Sequence, residues 1–257
     1  MSEYQVISGF VVGLLVGVTG VGGGSLMTPL LTLVFGYAPT VAVGTDLAFA
    51  ALTKGAGTLA HGIHGQVRWP VVRRLCLGSL PAAVMALLCL RYVGSANETL
   101  LQFIKITIAV SVLLTVMAIA LRPRLLAFLR HCSWYPLQGR GQKLATIAVG
   151  AVLGALVTIS SIGAGAVGAT LIFLLYPTLK PSEIVGTDIA YAVPLTALAA
   201  LGHLWLGHVH WDLLGALLLG SVPGIWLGAR LSRTLPERMV RLTLATTLTL
   251  VALRLIA

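Results

Sequence analysis

Acidic residues are what this sequence has least of: seven Asp and Glu stand among 257 residues, against 17 Lys and Arg. Only 9% of positions are charged. A soluble domain carries roughly 25%, so this chain cannot cover a folded surface with polar groups. Cysteine is scarce too. Cys76, Cys89 and Cys132 form no CxxC pair and no zinc spacing, so neither a disulfide framework nor a metal site is expected. HExxH and GxSxG are absent, and no Ser–His–Asp set can be drawn from the spacing. No enzyme activity, cofactor or metal follows from these residues.

What the chain does have is apolar sequence. Fully 58% of its residues are hydrophobic and the mean hydropathy is +0.99. Several segments approach the ~20 apolar residues that cross a bilayer, which makes this an all-α polytopic membrane protein. The net charge of +10 would point to nucleic acid in a soluble chain. Here the basic residues sit mostly in short gaps between apolar segments, where the positive-inside rule accounts for them, and nucleic acid is not expected as a partner. The start, "MSEYQVISGF", places Glu3 and no Lys or Arg before the first apolar run. That is a poor signal-peptide leader, and the run is expected to stay as a membrane segment.

The sequence is also written twice. "AVGTDLAFA" at 42–50 returns as "IVGTDIAYA" at 184–192, with Asp46 and Asp188 142 positions apart (188 − 46). In the same register His61 meets His203, Gly65 meets Gly207, Val67 meets Val209, and Trp69 meets Trp211. "GSLP" at 78–81 meets "GSVP" at 220–223, and a one-residue adjustment aligns "TGVGGGS" at 19–25 with "SSIGAGA" at 160–166. Two homologous halves are therefore expected: a first membrane repeat at 1–121, a basic cytoplasmic linker at 122–143 and a second repeat at 144–257.

Hydrophobic runs and breakers place the same parts in each half. The first holds runs at 6–18, 26–35, 41–63, 70–92 and 99–121; the second holds runs at 144–159, 167–176, 182–206, 211–229 and 238–256. The first two runs of each half are short for full spans, which suggests Gly-broken hairpin helices meeting near mid-membrane. Arg68, Arg73 and Arg74 mark one loop of the first half, while its counterpart carries His208, His210 and Asp212. The next loop reverses the bias, with Arg230, Arg233, Arg238 and Arg241 in the second half against Arg91 in the first. Basic loops are cytoplasmic, so equivalent loops fall on opposite sides. That is the pattern of an inverted repeat, whose site is expected where the halves meet; a parallel repeat stays open.

Few residues could carry chemistry. Gly22, Gly23, Gly24 and Ser25 interrupt one apolar run, and Ser160, Ser161, Gly163 and Gly165 interrupt its counterpart. Non-helical backbone in hydrocarbon persists only against protein or a wet cavity, so a broken helix can offer free N–H groups to an anion. Close helix packing through small residues is the alternative. Asp46 and Asp188 lie about six residues past the candidate caps Thr40 and Ser182, or ~9 Å at 1.5 Å per residue. An ionised Asp at the bilayer centre costs at least ~2.5–3.5 kcal/mol, which suits a proton or cation relay better than a cap. Thr45 and Thr187 are expected to bind substrate or satisfy backbone. Lys54, two turns after Asp46 and replaced by Thr196 in the second half, neutralises Asp46, holds an anion or snorkels to the interface. His61 and His203, beside Trp69 and Trp211, suggest an interfacial belt, and Pro81, Pro194 and Pro223 suggest helix kinks.

In "GVGGGSLMTPLL", "VAVGTDLAFAALTKGAGTLAHGIHGQVRW" and "GSLPAAV", repeated as "SIGAGAVGATLI", "EIVGTDIA", "GHVHW" and "GSVPGIWLGARLSRTLPER", the chain resembles the TauE/SafE family of membrane permeases. These are described as sulfite or organosulfonate exporters. The resemblance implies an all-helical transporter in the bacterial plasma (inner) membrane, moving a small, often sulfur-containing anion. Many relatives carry GTS where this chain has GTD. Two acids in an anion path repel the cargo unless protonated or paired, which favours proton coupling through Asp46 and Asp188, with Lys54 as accessory cation. A cation-coupled permease or an ion-conducting channel for another cargo is the alternative, ahead of an intramembrane enzyme or an assembly subunit. The expected partners are the small anion and membrane lipid, with a homodimer left open.

Overall fold

The apolar runs become helices because a chain among lipid tails must satisfy its backbone internally. The structure, a computed structural model, describes residues 3–19, 24–63, 65–93, 98–129, 131, 135, 137–231 and 246. It is all-helical among those residues. The first repeat supplies α1 (Glu3–Thr19), α2 (Gly24–Leu33), α3 (Pro39–Ile63), α4 (Trp69–Val93) and α5 (Glu98–Leu129). The second supplies α6 (Gly139–Ser160), α7 (Ala166–Leu175), α8 (Pro181–Trp205) and α9 (Trp211–Leu231). The run expected at 238–256 lies outside the described residues. Of the described helices, five are long and apolar enough to cross a membrane.

Local chemistry sets the boundaries. Pro39 and Pro181 open α3 and α8, since a proline at the first helical position gives up an N–H that has no intrahelical partner. Both helices thus start two residues before the caps expected at Thr40 and Ser182 would place them. For α8 the N-cap is Lys180, whose backbone N–H donates to Glu183 Oε2 at 2.9 Å. After α3 and after α8 the chain turns through Gly65 and Gly207, with φ of +64° and +75°, backbone that side chains disfavour.

Two lengths differ from expectation. α6 begins at Gly139, inside the linker drawn at 122–143, and its 22 residues suffice for a crossing. α7 stays short: 10 residues reach about 15 Å at ~1.5 Å per residue, half of a ~30 Å hydrocarbon core. At the other side of the linker, α5 runs on to Leu129, although its apolar span ends at Leu121.

The repeats are interleaved rather than set side by side. α1 lies along α9, α4 along α6, and α3 against α8, so each of these pairs joins the two repeats. Glycine makes the first two pairs close. A Cβ on Gly9 would stand 2.7 Å from the Leu217 carbonyl, and Gly13 faces Ser221. In the same way Gly150 faces Leu75 and Gly154 faces Ser79, which are the same contacts moved by the repeat register. Small residues substitute for a hydrophobic driving force by letting backbones approach. At the third pair, Gly44 abuts the His208 carbonyl and Gly186 abuts the Gln66 carbonyl. The start of each helix therefore meets the loop that follows the other, and α3 and α8 run antiparallel. Met27, Leu31, Leu47, Phe49, Leu153, Ile172 and Tyr191 fill the core around this pair.

Candidate functional site

The α3–α8 pair carries both VGTD motifs into the middle of the molecule. Asp46 is fully buried and Asp188 is 3% exposed, which places both carboxylates well inside the helices rather than at capping positions. Each is preceded by a threonine with a structural partner. Thr45 Oγ1 accepts the backbone N–H of His210 at 3.1 Å, and Thr187 Oγ1 accepts that of Arg68 at 3.0 Å. These are one interaction written twice, each fastening the loop of one repeat to the motif helix of the other. Of the two roles open to Thr45 and Thr187, satisfying backbone is the one this geometry fills. On one side a surface ion pair between Arg68 and Glu183 reinforces the clasp; on the other, Tyr37 packs edge-on against His210 with ring centroids 5.8 Å apart.

Around the acids the copies diverge. The Thr28 hydroxyl, from α2, donates to Asp46 Oδ2, while Asp46 Oδ1 is buried with no hydrogen-bond partner. Asp188 Oδ1 is likewise buried and unpartnered, and it lies over Gly168 in the first turn of α7, where any side chain would collide with it. Lys54 serves both. Its Nζ donates to the Ala164 carbonyl at 2.9 Å, and its charge interacts with Asp46 and Asp188 together. The ammonium thus sits against the broken segment of the other repeat.

That broken segment, 161–165, is shaped by backbone. Ser161 closes α6 in the left-handed region, with φ of 60°, and its N–H donates to the Val157 carbonyl at 2.7 Å. Gly163 and Gly165 have φ of 133° and 138°, conformations that call for glycine. Gly165 caps α7 without any side-chain hydrogen bond, so the N-terminus carries its partial positive charge toward Asp188. Ser161 Oγ is buried without a partner beside Asp46. Ser160 is engaged elsewhere: its hydroxyl donates to the Leu156 carbonyl at 2.7 Å, and its Oγ lies 3.1 Å from that of Ser111 on α5. Of the first repeat's break, Gly22 and Gly23 lie outside the described residues; Gly24 and Ser25 open α2, and only their backbone is described.

Asp46, Asp188, Lys54, Ser161 and the 163–165 backbone are thus brought together, while Thr45, Thr187 and Ser160 line or brace the same region. Nothing in the residue pattern marked Thr28 or the Ala164 carbonyl as partners. His203 is a correction: it is buried, not interfacial. Its Nε2 lies 2.9 Å from the Thr158 carbonyl and its Nδ1 3.2 Å from His208 Nδ1. A carbonyl only accepts, so His203 Nε2 carries the proton, its Nδ1 accepts from His208 Nδ1–H, and His208 Nε2 is left buried and unpartnered. The side chain of His61 is outside the description. Among the described residues, no three His, Cys, Asp or Glu side chains gather as metal ligands.

A family model described as "Sulfite exporter TauE/SafE" matches residues 5–255. Among similar proteins, "Probable membrane transporter protein YjnA" of Bacillus subtilis is 35% identical over 256 residues, covering 100% of both chains. "Probable membrane transporter protein YdhB" of the same organism is 26% identical over 238 residues, covering 90% of this chain and 91% of its own. No solved structure matches.

Proposed function

The chain belongs to the TauE/SafE family and is a multi-pass membrane transporter, and on that premise we propose that it moves a small, sulfur-containing anion in exchange for, or together with, protons held by Asp46 and Asp188. The family's description supports sulfite or a related sulfur oxyanion as cargo and export as direction, and relatives from Bacillus support the bacterial plasma membrane as location. The antiparallel α3 and α8 support an inverted repeat with the site at its centre.

The observation that carries the reading is the charge count at that centre: two buried carboxylates and one ammonium. With both acids ionised the cluster holds one net negative charge and repels an anion. With one acid protonated it is neutral, and with both protonated it has the positive charge that a monoanion matches. Loading one monoanion into a neutral site therefore goes with uptake of one proton, because uncompensated charge in a water-poor interior is costly. Lys54 also supports protons over sodium as the coupling ion: its ammonium already occupies the carbonyl at the break, where an inserted cation would need its oxygen ligands.

Uptake of labelled sulfite into proteoliposomes, with and without an imposed pH gradient, tests this. Gradient-driven accumulation is expected for the native protein, with Asp46→Asn and Asp188→Asn each losing the pH dependence. The proton role is wrong if both variants keep the native dependence. Flux that follows sodium at constant pH would instead favour the cation-coupled permease.

A further inference from the structure

Resting on that reading and deepening it, we infer that the open first turn of α7 is the seat of the sulfur oxyanion and that Asp188 is a tethered competitor for it, whose carboxylate stands against the seat and withdraws on protonation. In this turn the N–H groups of Gly168 and Ala169 donate to the carbonyls of Gly163 and Gly165, at 2.8 and 2.7 Å. Those of Ala166 and Val167, the first two residues of the helix, have no acceptor among the described residues, and Gly165 adds no side-chain cap. Two free N–H groups at the positive end of a helix dipole favour an anion. A second group points at the same turn. Asp188 is 3% exposed, its Oδ1 has no hydrogen-bond partner, and that oxygen occupies the space a Cβ on Gly168 would need. Cβ bonds tilt toward the N-terminus of a helix, so the oxygen lies on the open side of the turn. A buried carboxylate aimed at a helix start, yet bonded to none of its N–H groups, is an anion beside a seat and not a cap.

Charge and access agree with this assignment. Lys54 Nζ donates to the Ala164 carbonyl at 2.9 Å, two residues before Ala166, so a full positive charge adjoins the partial one. Ile162, Gly163, Ala164 and Gly168 are buried, whereas Gly165, Ala166 and Val167 are half-buried. The open end of the turn therefore reaches the molecular surface, with Asp188 behind it. Two anions repel strongly across a short gap in a poorly hydrated interior, so cargo and carboxylate alternate. One proton joins the Asp188 carboxylate, the neutral carboxyl gives up the turn, and one anion accepts from Ala166 and Val167. The groups that act on Asp188 are Lys54 from α3, with Asp46 on the same helix, Tyr191 on α8 itself, and Cys76 from α4 beside Tyr191. α7 has no titratable side chain, and α6 carries Arg140 and Lys143 at its far end from the break.

The first repeat is built differently at this point. In the register of the two glycine breaks, Gly168 answers to Met27, which is wholly buried. The first repeat thus carries a side chain where the second leaves room for a carboxylate. Asp46 instead takes a hydrogen bond from Thr28, the next residue of α2. The two acids should therefore answer differently to a bound anion.

Equilibrium binding of sulfite to the full-length protein in lipid nanodiscs, followed by calorimetry in acidic and in alkaline buffer, tests this without any flux. Ala166→Pro deletes one free donor at the helix position where proline fits best. Sulfite affinity should then fall about tenfold, the weight of one charge-assisted hydrogen bond, with the unfolding temperature close to native. In alkaline buffer Asp188→Asn removes the competing charge and should bind sulfite about tenfold more tightly than the native protein, while Asp46→Asn gains less. Native affinity in a folded Ala166→Pro would overturn the seat. Equal gains in the two Asn variants, or no gain in Asp188→Asn, would overturn the competitor, and this contrast decides even where Ala166→Pro does not fold. No sulfite binding by the native protein in either buffer would overturn both. The expected affinities together with no pH-driven flux in proteoliposomes would uphold the seat and reject the transport reading. Such flux together with native affinity in Ala166→Pro would do the reverse.

Discussion

Asp46 and Asp188 sit at equivalent positions in two copies of one sequence, yet their surroundings share little. Asp46 is closed in, with Thr28 donating to one carboxylate oxygen and Phe49 three residues on. Asp188 faces the uncapped start of α7 across Gly168 and has Tyr191 three residues on. Lys54 belongs to one copy only, with Thr196 in its place in the other, and its charge acts on both acids. The close helix crossings and the threonine hydrogen bonds of the loop clasps, by contrast, occur in both copies. The lesson is that duplication supplied a symmetric scaffold, while the polar groups at its centre were free to specialise.

The symmetric part can be broken first, with the largest effect. A methyl added at Gly78 would drive into the backbone of α6 at Ile147, and one at Gly220 into that of α1 at Val6. Gly78→Ala and Gly220→Ala should each lower stability by about 1–3 kcal/mol as overpacking costs go, less up to ~1 kcal/mol returned by helix propensity. Unfolding of the detergent-solubilised protein measures both. Equal losses fit the duplicated scaffold, and a loss at only one site would end the claim that the two crossings are equivalent.

The asymmetric part comes next. Thr28→Val deprives the buried Asp46 of its donor and should cost about 1–3 kcal/mol, with Thr28→Ser recovering most of it. If the serine variant recovers nothing, the hydroxyl is not what holds Asp46. Smaller again are the clasps. Thr45→Val and Thr187→Val each strand one backbone N–H and should cost about 1 kcal/mol, with matching values expected on the two sides. Glu183→Gln removes a partly exposed ion pair that only one side has. Its effect should be the least of these and should fade with salt, which an unfolding series at two ionic strengths would read.

Much of this was legible before any coordinates. Apart from the end of α5 and the start of α6, run lengths placed the described helices to within a few residues, because a chain in lipid has few other options. The repeat register foretold which contacts would occur twice, and acids in apolar sequence marked the centre. Partners were not legible where they depend on tertiary approach. Thr28 precedes Asp46 by eighteen positions, and only the fold of α2 onto α3 joins them. The Ala164 carbonyl is backbone, and no residue type announces it. His203 misled because a histidine near a helix end, close to tryptophans, has the pattern of an interfacial belt, yet Trp211 is exposed while His203 is buried. α6 was drawn too short because Gly139, Arg140 and Lys143 read as linker, although they form its first turns.

The same histidine pair gives the mildest way to separate the repeats. His208 has Gln66 as its counterpart, so only the second repeat has a titrating group at this position of the loop. Burial holds the His208 imidazole below its ordinary value of 6.5. The unfolded chain then binds a proton that the folded protein refuses, and stability must fall as pH drops below about 6.5 toward the folded value, with no contribution above it. His208→Gln should flatten that part of the acid limb while leaving the unfolding temperature near pH 8 within a few degrees of native. A variant whose acid limb stays as steep as the native one would place the proton uptake elsewhere in the protein. A flattened limb would show that the two loops, alike in fastening α3 and α8 through Thr45 and Thr187, differ in their response to acid.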